Sequence, residues 1–298
     1  MNPTGTAHII DGRALARDVK AVLTARVAEL SAQGHPVRLD VVLASGNAAG
    51  GVYARNQATM CAEIGIEYRM HEVPSDADES TVTTRVRELN DDDRVTAIMV
   101  HLPLPPDVNA QRVQALIDVD KDVEGVNPAN IGGVIYGRRT LVPCTALATM
   151  RLIESTGVSL RGAEVVCVGA STIVGRPVAV LLMEAEATVT STNVHTADLA
   201  AHTRRGDVVI AAAGVPGLVT GDMVKPGAVV IDVGINRIRD PQTGERRTVG
   251  DVDADSVGSV AGWLSPVPGG VGPMTVAMLL RNTVAAADPD GASPAQVR

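Results

Sequence analysis

Residues 163–185 read AEVVCVGASTIVGRPVAVLLMEA, an apolar run that stops at a glycine, turns through small residues and resumes at helical spacing. A run with no polar face suits a strand covered on both sides, as in a parallel sheet flanked by helices. The order recurs along the second half. ATVTST (187–192) precedes a helical DLAAHTRRG (198–206), and GDVVIAAAG (206–214), AVVIDVG (228–234) and SVAGWLSPV (259–267) supply further strands. Strands alternating with helices define an α/β chain whose sites lie beyond the carboxyl ends of the strands.

The first half follows the same plan. Apolar residues repeat at helical spacing over 12–33, with Asp11 placed to cap, and LDVVLA (39–44) reads as a buried strand. GNAAGG (46–51) reads as a turn, followed by a helix through VYARNQATMC (52–61) to about Glu63. IEYRMHEV, STVTTRVRELN and AIMVHLPLP then read as strand, helix and strand. A length of 298 residues allows two domains. The boundaries expected are 1–142, completed by a C-terminal helix at 272–287, then 143–271, then a flexible tail at 288–298.

Composition narrows the function classes. Aromatic residues make up 1% of the chain and Phe is absent, which disfavours base-stacking nucleic-acid platforms. The net charge is −8 and the lysines, Lys20, Lys121 and Lys225, are scattered, so no basic block suits nucleic acid or a membrane surface. No apolar stretch approaches the roughly 20 residues of a membrane span, and the opening residues do not read as a secretory signal. Cys61, Cys144 and Cys167 are widely spaced, as expected for buried, reduced thiols in a cytoplasmic protein. No metal site is expected.

The turn GASTIVGRP (169–177) carries the first chemical signal. Gly169 ends a strand and Gly175 falls in the first helical turn, which lets backbone amides and the helix dipole approach a pyrophosphate. The central glycine of the usual GxGxxG pattern is missing, so the turn alone leaves close packing and dinucleotide binding both open. The alternation around it favours a dinucleotide. TVTSTNVHT (188–196) offers no acid to hold ribose hydroxyls, which leans toward NADP with Arg176 and His195 as candidate phosphate partners.

SPVPGGVGPMTVAMLLRNTV (265–284) packs three prolines and three glycines ahead of a helix, a rigid loop at a site rather than a core element. With GASTIVGRP, IDVGIN (231–236), HLPLP (101–105) and DKDVEGVNPAN (120–130), it resembles the methylenetetrahydrofolate dehydrogenase/cyclohydrolase family along nearly the whole chain. The resemblance implies an N-terminal α/β catalytic domain and a Rossmann-type domain, with the C-terminal helix returning to the first. It also implies a cytosolic homodimer that oxidises 5,10-methylenetetrahydrofolate with NADP, or NAD in some members, then hydrolyses the methenyl cation to 10-formyltetrahydrofolate.

Carried over by position, the resemblance places Thr145, Gly169, Ala170, Ser171, Ile173, Gly175, Arg176, His195, Gly214 and Ile235 at the cofactor. Tyr53, Glu124, Gly272, Pro273 and Thr275 fall at the folate. The catalytic positions are Tyr53, Gln57, His101 and Glu124, and three of them depart from the family pattern. Gln57 stands where the family has a lysine, His101 where it has a glutamine and Glu124 where it has an aspartate. PCTP becomes PCTA at 143–146.

An amide does not titrate, so Gln57 cannot carry the proton that hydrolysis requires. His101 is suited to it by an unperturbed pKa near 6.5, although a lone histidine at a strand end equally serves as a hydrogen-bonding residue. Three readings stay open: a dehydrogenase whose hydrolytic step is weak, lost or rebuilt on His101; a paralogue acting on another one-carbon or imine-like substrate; and a non-catalytic nucleotide- or folate-binding subunit.

Overall fold

The computed structural model describes residues 6–45, 48–137, 141–239 and 244–288. In chain order the elements are β1 (His8–Ile9), α1 (Gly12–Ala32), β2 (Arg38–Ala44), α2 (Ala48–Glu63), β3 (Glu67–Val73), α3 (Glu79–Asp91) and β4 (Ala97–Val100). Three helices follow, α4 (Ala110–Leu116), α5 (Pro128–Ile135) and α6 (Cys144–Ser155). The second series runs β5 (Glu164–Val168), α7 (Gly175–Glu184), β6 (Thr188–Thr192), α8 (Leu199–Thr203), β7 (Val208–Ala211) and β8 (Val229–Asp232). It closes with β9 (Asn236–Arg239), β10 (Arg246–Val249), α9 (Ala254–Gly258), β11 (Trp263–Leu264) and α10 (Val271–Ala287).

Two compact units result. One comprises residues 17–144 and the chain from Val276 onward. Its three-stranded parallel sheet has the order β3-β2-β4. Val42, Ile98 and Val100 face a core filled by Val82, Val86 and Leu89 of α3 and Val113 of α4. The C-terminal segment belongs to this unit through specific bonds. Nδ2 of the buried Asn282 donates to the carbonyls of Val123 (2.8 Å) and Val142 (2.9 Å). Asp288, the first residue of the expected tail, is buried and paired with Arg26 at 2.7 Å. Residues 289–298 lie outside the described residues.

The other unit comprises residues up to Ala16 together with Thr145–Thr275. Its sheet is β1-β11-β8-β7-β5-β6, parallel throughout, the doubly wound arrangement of a Rossmann-type domain. Val166 and Val209 sit opposite each other in this sheet and both are buried. β1 joins by pairing His8 with Trp263, a match across most of the chain that no local pattern announces.

Several boundaries differ from the sequence reading. The helix expected after a 46–51 turn already begins at Ala48, because Gly50 and Gly51 fall at its start, where glycine is tolerated better than in a helix interior. The short helices α4 and α5 and the antiparallel hairpin β9–β10 carry too few residues for a clear apolar period, and the longer α6 (Cys144–Ser155) is not anticipated by the sequence reading either. The late strand shrinks to Trp263–Leu264.

Candidate active site

In the unit of residues 17–144, the site is built at the carboxyl end of β4. Side chains alternate along a strand, so Ile98 and Val100 face the core while Met99 and His101 share the other side. Gln57, on α2, is 2% exposed and reaches that side, donating from Nε2 to Met99 Sδ at 3.4 Å. Its Oε1 has no hydrogen-bond partner among the described residues. Tyr53 lies one helical turn before Gln57, but its side chain falls outside the described residues. His101 is buried, its amide donating to the Val42 carbonyl, and burial lowers the imidazole pKa. Near neutrality His101 is therefore an uncharged ring.

The segment carrying Glu124 docks beside the same strand, with Asp122 bridged to Ile98. Asp122 is fully buried and organises the loop that follows: its Oδ2 accepts from the Asn127 amide (2.7 Å) and from Asn130 Nδ2 (2.9 Å). Desolvation still raises its pKa. Glu124 is half-buried, and desolvation, with Asp122 as the smaller cause, pushes its carboxyl up to about 8. The Cys144 amide donates to the Glu124 carbonyl, and Cys144 Sγ donates to the Val123 carbonyl at 3.1 Å. All three cysteines are buried, and burial pushes the thiols of Cys61 and Cys167 up to about 12.

In the other unit the nucleotide turn joins β5 to α7. Gly169 adopts φ +109, and a Cβ on it would run into the Ala212 carbonyl; one on Gly175 would run into the carbonyl of Gly169. Both glycines are required by close backbone approach, which places the bare start of α7 at the strand's end. Ser171 Oγ accepts long bonds from the amides of Val174 and Gly175, and Arg176 Nε donates to the Ala170 carbonyl. Ser171, Ile173 and Arg176 are exposed. After β6 the chain turns at Asn193, whose Oδ1 accepts from the amide of the exposed His195. Neither stretch carries a carboxylate, so an anionic nucleotide meets no like charge there. The geometry fits a phosphorylated dinucleotide.

The remaining candidates in this unit are Thr145 in the first turn of α6, Gly214 in the exposed turn after β7 (φ +70), Ile235 in the exposed turn after β8, and Gly272, Pro273 and Thr275 at the start of α10. An open pocket brings Ile235, Gly272 and Pro273 together with Arg13, Val267 and Pro268. The rigid loop before α10 is held against the N-terminal segment, where a Cβ on Gly12 would meet the Gly270 carbonyl. Sequence reasoning passed over Asp122, Asp232, Asp251 and Asn282. Their one visible signal is polarity inside apolar stretches, and their partners lie elsewhere in the chain.

A doubly wound parallel domain with an acid-free glycine turn, joined in one chain to a second α/β unit, defines the class: a two-domain oxidoreductase scaffold for NAD(P). The profile "Tetrahydrofolate dehydrogenase/cyclohydrolase, catalytic domain" matches residues 10–124, and the corresponding "NAD(P)-binding domain" matches residues 143–290. The chain belongs to the tetrahydrofolate dehydrogenase/cyclohydrolase family. It is 45% identical to the Bifunctional protein FolD of Moorella thermoacetica, over 94% of this chain and 99% of that protein. It is 46% identical to the Paraburkholderia xenovorans protein of the same name, over 97% and 100%. The solved Campylobacter jejuni FolD, a methylenetetrahydrofolate dehydrogenase/cyclohydrolase, superposes with a TM-score of 0.90 at 39% identity, covering 94% of this chain and 98% of that one. The Trypanosoma brucei enzyme, solved with NADP cofactor and an inhibitor, gives 0.90 at 37% identity, covering 97% and 99%.

Proposed function

We propose that this protein oxidises 5,10-methylenetetrahydrofolate to the 5,10-methenyl cation with NADP, and that it hydrolyses the cation slowly. The observation that carries the second half is Gln57: a buried amide occupies the family's lysine position, and no proton can be relayed through it. The dinucleotide supplies the hydride acceptor. The chain's part in that step is to hold the one-carbon bridge in line for transfer, and no base is needed.

Tyr53 and Glu124, with Gly272, Pro273 and Thr275, bind the folate in this reading, and Gln57 Oε1 is an acceptor for a ligand donor. Thr145, Gly169, Ala170, Ser171, Ile173, Gly175, Arg176, His195, Gly214 and Ile235 bind NADP. Hydrolysis adds water to the cation and releases a proton. His101, neutral and on the same side of β4 as the Gln57 contact, is the group proposed to take it. Among the described residues no helix is long and apolar enough to cross a membrane. A cytoplasmic homodimer completes the proposal, on the family resemblance.

Purified protein mixed with methylenetetrahydrofolate and NADP tests the reading. NADPH absorbance should rise together with a persistent methenyl band. Absence of both signals rejects the dehydrogenase assignment.

A further inference from the structure

The turns after β7 and β8 carry Gly214 and Ile235, and one buried carboxylate joins them. Asp251 Oδ2 accepts from the amides of Ala213 (2.6 Å) and Gly214 (2.7 Å), while Oδ1 accepts from Nδ2 of Asn236 (2.8 Å), the residue after Ile235. Asp251 is fully buried and is itself held from below. Asp232, the last residue of β8, accepts at Oδ1 from the amides of Asp251 (2.9 Å) and Gly234 (3.0 Å), and at Oδ2 from that of Val252 (3.0 Å). The Asp232 amide in turn donates to Ser265 Oγ at 2.8 Å.

Two glycines make this ladder possible. A Cβ on Gly234 would collide with the Asp251 carboxylate, and one on Gly250 would collide with the Asp232 carboxylate. Each segment therefore gives up a side chain to admit the other segment's acid. Only a carboxylate accepts three donors at once in this arrangement; an asparagine would turn an N–H₂ toward one of them.

We infer that Asp251 is a positioning residue for the dinucleotide, its carboxylate setting the distance between the turn at 213–214 and the turn at 234–236. The inference rests on the assignment of Gly214 and Ile235 to the cofactor. It also says how the first turn binds. The Ala213 and Gly214 amides are already donated to Asp251, so the turn offers the cofactor carbonyl oxygens and the bare Cα of Gly214 instead of an anion-binding pair of amides.

Titration with NADPH, followed by its fluorescence, separates this role from simple support of the fold. Asp251→Ala should weaken NADPH about tenfold or more, the scale of a lost charge-assisted hydrogen bond, while KM for methylenetetrahydrofolate stays within about twofold. Asn236→Ala, which frees only one turn, should weaken NADPH by roughly threefold. Asp251→Asn combined with Asn236→Asp keeps the pair with donor and acceptor exchanged and should recover most of the affinity.

If both alanine variants fold, as judged by urea denaturation, and bind NADPH within about twofold of the unaltered chain, the inference is overturned. Should Asp251→Ala fail to fold, Asn236→Ala decides by the same criterion. An unaltered chain that binds no NADPH would instead remove the cofactor assignment, a result distinct from equal binding by chain and variants.

Discussion

At the scale of single residues, the site combines an amide that cannot titrate, a histidine kept neutral and a glutamate that ionises late. Glu124 makes the clearest prediction. Its carboxyl ionises near 4.5 in the unfolded chain and at about 8 when folded, so the folded chain holds a proton that the unfolded chain releases. This group therefore costs nothing below about pH 4.5 and subtracts from stability as pH rises, with the loss complete above about 8. Glu124→Gln should flatten that part of the profile in urea denaturation series, leaving the variant relatively more stable at pH 8 than at pH 5. An unchanged pH slope would mean that the carboxyl is not desolvated. Gln57 and His101 were legible as departures because residue type alone decides whether a group moves protons. Their burial and the Met99 contact were not, since these depend on which side of β4 meets α2.

At the scale of elements, two joints should be measurable. Asn282 ties α10 to the segment bearing Glu124, and Asn282→Ala leaves two buried carbonyls without this donor. Val123 keeps the Cys144 thiol as a donor while the Val142 carbonyl loses its partner, so unfolding free energy should fall by about 1–3 kcal/mol, the cost of one buried group left unpaired. The second joint is the β5–α7 turn. Gly175→Ala forces a methyl group against the Gly169 carbonyl, so the turn must open and NADPH affinity should fall by at least about tenfold, read by fluorescence titration. A variant that binds NADPH as tightly would show that the turn is not part of the cofactor site. This turn could be read from sequence because its glycines, Gly169 and Gly175, are close together in the chain and flanked by a strong strand and helix. The Asp232–Asp251 ladder could not, because, the Gly234 amide apart, its donors come from 15 to 38 residues away.

At the scale of the whole molecule, the longest apolar runs specified the strands and the principal helices, while the partition of the chain depended on its ends. β1 lies in the sheet of the Rossmann-type unit through its pairing with β11, and the residues from Val276 onward belong with residues 17–144. Such pairings are set by long-range burial and hydrogen bonding, which local periodicity does not encode. In the proposed reading the two units divide the chemistry as well: one holds the glycine turn assigned to the nucleotide, and the other holds Gln57, His101 and Glu124. Dehydrogenation and hydrolysis should accordingly separate. The most direct test follows NADPH formation and methenyl decay in a single reaction, comparing the unaltered chain with the Gln57→Lys, His101→Gln double variant. The account predicts that NADPH forms in both, that methenyl product accumulates in the unaltered chain, and that the double variant clears it about tenfold faster or more, at the low end of the usual range for a positioned proton-transfer group. Hydrolysis by the unaltered chain that keeps pace with NADPH formation would contradict it.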